Sequence, residues 1–126
     1  MQLDAYLQRT GYSGDLRPSA AVLEALHLAH ATHIPFENLD VLRGVPIRLD
    51  LESLQRKLVD ARRGGYCFEQ NLLFAAVLED IGFTVTRLAA RVRYRAGWIA
   101  RGGARSWLCA QPSHLPDLQR RGRRER

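Results

Sequence analysis

At 126 residues, 46% of them hydrophobic, the chain is long enough for one small domain with its own core. No run approaches the roughly eighteen apolar residues of a membrane span, and the opening MQLDAYLQR lacks the basic start and apolar run of a secretory signal, so no membrane partner is expected and the cytoplasm is the expected compartment. The net charge of +6 is lodged at one end: residues 1–90 hold nine basic and eleven acidic side chains, and 91–126 hold ten arginines against Asp117 and Glu125, a pattern of a solvated tail rather than of a nucleic-acid interface.

The first predicted element is a short helix in which Leu3, Tyr6 and Leu7 share a face, ended by Gly11 and the turn-rich Tyr12-Ser13-Gly14-Asp15. Pro18 and Ser19 open a second helix over about 19–32, with Ser19 as N-cap and Val22, Leu23, Leu26, Ala29 and His30 on its apolar side, until Pro35 stops it. Val45, Ile47 and Leu49 alternate with Pro46, Arg48 and Asp50, which predicts a short extended segment whose proline is tolerated at a sheet edge. Asp50 then caps a third helix that buries Leu51, Leu54 and Leu58 and gives way at Arg62-Arg63-Gly64-Gly65.

A central helix runs from Cys67 to Ile81 and closes at Gly82. Beyond it Leu88, Ala90, Val92 and Tyr94 face one way and Ala89, Arg91, Arg93 and Arg95 the other, the pattern of a half-buried strand. After Arg95, glycines and prolines fall among arginines and no period persists. The expected class is α+β, in three parts: a helical domain over 1–82, the first strand or strands of an incomplete β domain over 83–95, and a basic, poorly patterned tail over 96–126.

Cys67 and Cys109 make no disulfide framework, so any role for Cys67 is that of a thiol. The run Arg63-Gly64-Gly65-Tyr66-Cys67-Phe68-Glu69-Gln70-Asn71 delivers that thiol to the start of a helix behind a glycine turn, where free N–H groups and the helix dipole favour a thiolate. The two glycines predict a sharp turn that leaves the sulfur uncovered for a bulky acyl donor. On position alone, a small buried hydrophobe accounts for the same residue.

The runs His33-Ile34-Pro35-Phe36-Glu37-Asn38-Leu39, Arg62 to Asn71 and Leu88-Ala89-Ala90-Arg91-Val92 resemble those of the arylamine N-acetyltransferases, in the same order, over about residues 1–95. The resemblance implies a papain-like cysteine acyltransferase fold, a helical bundle followed by the start of a β-barrel domain. It also implies a Cys-His-Asp triad with Cys67 as nucleophile, acetyl-CoA as acyl donor, and an arylamine, arylhydroxylamine or hydrazine as acceptor, with no metal. By the same resemblance Glu37 and Arg63 form a structural ion pair, where surface charges are the plain alternative. Phe36 and Phe68 line the acceptor pocket by resemblance, and read bottom-up each is equally a core residue. His27, His30 and His33 are read as structural, because the family takes its histidine from beyond the nucleophile.

The family's histidine and aspartate have no close match. Ser113-His114-Leu115 is a faint echo placed far from Cys67, Pro116 interrupts its strand, and Asp117 is too close to serve as the aspartate. The expectation is therefore a truncated or frame-shifted form with impaired turnover. Two other roles compete with it: a family amide synthase acting on Cys67 without coenzyme A, and a non-catalytic remnant that binds a partner through a barrel edge or its tail.

Overall fold

The computed structural model describes residues 1–88, 90–91, 105–106 and 109–111. Helix α1 is Leu3–Thr10, α2 is Ala20–His33, α3 is the single turn Leu39–Leu42, and α4, Leu51–Leu54, runs directly into a π-helical stretch, Gln55–Asp60; α5 is Cys67–Ile81. The first two helices and the last lie where the sequence pattern puts them. Ser19 caps α2 by accepting the Val22 N–H at 3.2 Å, and Asp50 caps α4 by accepting the Ser53 N–H at 3.0 Å. Gly82 closes α5 in the left-handed region at φ 105°, a conformation that a side chain would oppose.

The core is the wedge between these helices. Tyr6, Leu26, Leu58, Leu73, Val77 and Leu78 are fully buried, joined by Leu54, Ile34, Val59, Phe74 and Phe83. Helix α5 supplies Leu73, Phe74, Val77 and Leu78 to this core, more than any other element, because it is apolar on several sides, as a helix packed on more than one neighbour must be. Each buried leucine contributes about 1.5–3 kcal/mol by leaving water, so Leu73 or Leu78 to Ala would cost about 2–5 kcal/mol.

The predicted third helix holds with one change. A π turn, seen in the Ala61 N–H bonded to the Arg56 carbonyl five residues back, puts Leu54, Leu58 and Val59 on the buried side and leaves Leu51 exposed. Arg9, itself buried, reaches from α1 to cap the end of this stretch, its Nε on the Leu58 carbonyl at 3.1 Å and Nη2 on the Arg62 carbonyl at 3.3 Å.

The expected edge strand at 45–49 is not formed. Its residues join no ladder among the described residues, and Val45 and Leu49 are exposed. Pro46 has no N–H to offer a neighbour, and alternation over five residues is too short to fix a strand that has no partner.

After α5 come β1, Thr84–Thr86; β2, Ala90–Arg91; β3, Arg105–Ser106; and β4, Cys109–Gln111. β1 pairs antiparallel with β4, Val85 opposite Ala110, and β2 pairs antiparallel with β3, Ala90 opposite Ser106. β3 and β4 fall within the stretch read as unpatterned, since strands of two and three residues are too short to display a period of two. Residues 92–95 of the predicted strand, His114, Asp117 and the rest of 112–126 lie outside the described residues. No helix of the described residues is long and apolar enough to cross a membrane.

Candidate active site

Cys67 is the first residue of α5 and is half-buried. The loop that delivers it, residues 61–66, is held at nearly every polar point. The chain leaves the π stretch through Arg62, which takes φ 53°, a left-handed conformation that only glycine adopts without strain. Its carbonyl is the one that Arg9 caps.

Next, Gly65 pairs with the segment before α3 as a parallel bridge to Phe36: Gly65 donates its N–H to the Pro35 carbonyl at 3.2 Å and accepts the Glu37 N–H at 3.1 Å. This approach explains both glycines. A Cβ on Gly64 would lie 2.1 Å from the Pro35 carbonyl oxygen, and one on Gly65 would lie 2.9 Å from Glu69 Oε2. Neither takes a positive φ. The expectation of a glycine turn is thus corrected: the two glycines let backbones and a carboxylate pass close, and the sharp change of direction sits at Arg62.

Around this loop runs a chain of charges. Arg63 Nη2 pairs with Glu37 Oε1 and, at 2.9 Å, with Asp40 Oδ1. Lys57 Nζ takes the other Asp40 oxygen at 2.7 Å and Glu69 Oε1 at 2.8 Å. Glu69 Oε2 accepts the Tyr66 N–H at 3.0 Å, so the chain of charges ends on the residue before the thiol, at the N-terminus of α5. Arg63 and then Lys57 draw the Asp40 carboxyl down to about 2. Burial pulls the Lys57 ammonium down, but Asp40 and Glu69 outweigh it and carry it above its ordinary value. Burial, then the Glu69 charge, raises Tyr66. The π turn is what brings Lys57 within reach of both carboxylates while Leu58 and Val59 stay in the core.

The expected Glu37–Arg63 pair is present. Asp40, Lys57 and Glu69 were missed as its extension, although Glu69 at the third helical position after a turn is a capping signal. Phe36 is 68% exposed, which removes the core reading for it; Phe68 is half-buried, its ring 5.6 Å from that of Tyr66. His27 and His33 are exposed, His33 against the Ala29 carbonyl at 2.9 Å, while His30 is buried. His114 lies outside the described residues, and among the described residues no three His, Cys, Asp or Glu side chains group as a metal site.

The profile of the N-acetyltransferase family matches residues 19–102. The chain is 53% identical over 93 residues to the arylamine N-acetyltransferase of Mycolicibacterium smegmatis, covering 73% of this chain and 34% of that protein. It is 52% identical over 90 residues to the Escherichia coli K12 arylamine N-acetyltransferase, covering 71% and 32%. The chain thus spans about a third of the length of the curated relatives it matches. The Mycobacterium marinum arylamine N-acetyltransferase in complex with CoA superposes with a TM-score of 0.81 at 44% identity, over 90% of this chain and 42% of that one. The enzyme from M. tuberculosis superposes with a TM-score of 0.81 at 39% identity, over 92% and 44%.

Proposed function

The chain belongs to the arylamine N-acetyltransferase family, and from that membership we propose that it carries the nucleophile of an acetyl transfer, with Cys67 accepting acetyl from acetyl-CoA and passing it to an arylamine or hydrazine. The observation that carries this reading is the clamped loop, which fixes a half-buried thiol as the first residue of a 15-residue helix inside the stretch that the family profile matches. In this reading the Cys67 sulfur attacks the thioester carbonyl, its S–C bond forms as the bond to the coenzyme A sulfur breaks, and coenzyme A leaves as its thiol with the proton Cys67 gave up. The acceptor nitrogen then attacks acetyl-Cys67, loses a proton, and returns the sulfur to its starting state.

Helix position supports the first step, since the positive end of the α5 dipole favours negative charge on sulfur and on the oxyanion. Phe36, exposed beside Gly65, and Phe68, on the first turn of α5, are placed to offer apolar surface to an aromatic acceptor. The proton transfers call for a histidine held by a carboxylate, and a papain-like arrangement of them is part of the proposal. The two short ladders after α5 suit the start of a β domain, and a reducing cytoplasm would keep Cys67 a thiol.

The test is intact mass after incubation with acetyl-CoA. The wild-type chain should gain one acetyl group, lose it on addition of an arylamine, and do neither as Cys67→Ala. Acetylation that persists in Cys67→Ala would defeat the assignment.

A further inference from the structure

One side chain on the first turn of α5 is tied to three separate segments. Gln70 Nε2 donates to the Pro35 carbonyl at 2.8 Å, with the Ile34 and Gly65 carbonyls at 3.2 and 3.3 Å, and Gln70 Oε1 lies 2.8 Å from His30 Nε2 on α2. Because the amide N–H groups must face the carbonyls, its oxygen faces His30, so the imidazole carries its proton on Nε2. His30 Nδ1 is then bare and accepts the Tyr6 hydroxyl of α1 at 2.9 Å. The hydrogen bonds run one way, from Tyr6 through His30 and Gln70 to Pro35.

From these contacts we infer that Tyr6, His30 and Gln70 are a positioning relay, which sets where the start of α5, and with it Cys67, stands against the Ile34–Phe36 segment. The inference rests on Cys67 being the nucleophile. Pro35 and Gly65, two of the three backbone partners of the Gln70 amide, are themselves bonded to one another two residues before Cys67. The relay therefore ties the loop and the segment bearing Phe36 to α1 and α2, elements that carry none of the proposed chemistry.

The relay needs His30 neutral. Tyr6 is fully buried and His30 nearly so, with the Phe74 ring of α5 4.9 Å from the imidazole. The charged or titratable groups facing His30 are Arg9 and Tyr6 from α1 and His27 from its own helix, and the two basic ones both oppose a further positive charge there. A protonated His30 would present a second N–H to Tyr6, which could no longer donate to it.

Gln70→Glu on the full chain is the sharpest probe. A carboxylate would keep the contact with His30 and put an acceptor against Pro35, so His30 should gain a proton partner while the link to the loop is lost. Long-range proton–nitrogen NMR should show His30 as the Nε2–H tautomer in the wild type, and a titration midpoint more than one pH unit higher in Gln70→Glu. Iodoacetamide labelling of Cys67, followed on its peptide, should slow about threefold in Gln70→Glu and in Gln70→Met, the size of a weakened helix-terminus contribution. Tyr6→Phe, which deletes a single oxygen and keeps the core filled, should slow it in the same direction and guards against a variant that does not fold. Unchanged labelling in folded Gln70→Met and Tyr6→Phe, or a His30 tautomer protonated on Nδ1, would overturn the relay. Labelling needs no acetyl-CoA, so a failure of acetyl transfer would count against the proposed function and leave the relay to be judged by these readouts.

Discussion

The Pro35 carbonyl oxygen occupies the space that a side chain on Gly64 would need: a Cβ there would fall 2.1 Å from that oxygen. The obstacle is backbone, pinned by the bridge between Phe36 and Gly65, so it has no rotamer into which to retreat.

Gly64→Ala should therefore part the loop from the Ile34–Phe36 segment. The expected cost is at least about 1–3 kcal/mol, the range for forced overpacking, read as a lower denaturant midpoint. Labelling of Cys67 should change as well, because the same bridge sets the start of α5. A variant as stable as wild type would show that the segment can shift freely.

Lys57 stands between two carboxylates that have little water, the side chains of Asp40 and Glu69 being 12% and 3% exposed. Replacing it with Met keeps the stem and removes the charge, leaving Glu69 without that cation beside its bond from the Tyr66 N–H. Lys57→Met should destabilise by on the order of 3 kcal/mol, the usual size for stranding a buried charge. Lys57→Met combined with Glu69→Gln should recover part of that loss, and a double-mutant cycle in urea would measure how much. Simple additivity of the two would mean that the pair is not coupled.

The outlines of this site were legible in the sequence wherever a local rule carried them. Ser19, Asp50 and Gly82 bound their helices by capping chemistry that needs no tertiary partner, and Cys67 heads α5 as the run of helix formers implies. What was not legible depends on distant partners or on an unusual backbone. The π turn at Gln55–Asp60 leaves no periodic mark in six residues, and without it Lys57 cannot be placed beside Asp40 and Glu69. The roles of Gly64 and Gly65 depend on Pro35 and Glu69, and a sequence shows that a glycine is present without showing which neighbour requires it. The alternation at 45–49 misled for the opposite reason, being a local pattern with no strand to pair it.

Acid should find His30 before it finds the ion pairs. Burial pushes the His30 imidazole down to about 4. As pH falls from about 6.5 to 4, the unfolded chain takes up a proton that the folded chain refuses, so stability declines through that window, by on the order of 3 kcal/mol when complete. Below about pH 4, protonation of Asp40 adds to the decline, since its carboxyl is held at about 2 in the folded state and its stabilisation is lost as pH falls toward that value. Denaturant midpoints from pH 8 to 4 would trace the first decline. His30→Gln should flatten it, and a profile equally steep in that variant would assign the titration elsewhere.

Arg62 offers a test of strain at the loop itself. It holds φ 53° in an exposed position, where an L side chain costs about 1–2 kcal/mol, and its charge also opposes that of Arg9, which caps its carbonyl. Arg62→Gly removes both penalties and leaves the carbonyl that Arg9 holds. Against this stands the greater freedom of glycine in the unfolded chain, about 0.5–1 kcal/mol. The strain relief is the larger quantity, so Arg62→Gly should raise the stability by roughly 0.5–1 kcal/mol, read as a higher denaturant midpoint with the slope unchanged. Arg62→Val removes the same charge but keeps a branched side chain in the left-handed region, and should lower the midpoint. Charge repulsion alone would make the two substitutions equally stabilising, so opposite signs identify backbone strain as the cause, while a drop for both would show that the Arg62 side chain makes a contribution larger than the strain it incurs.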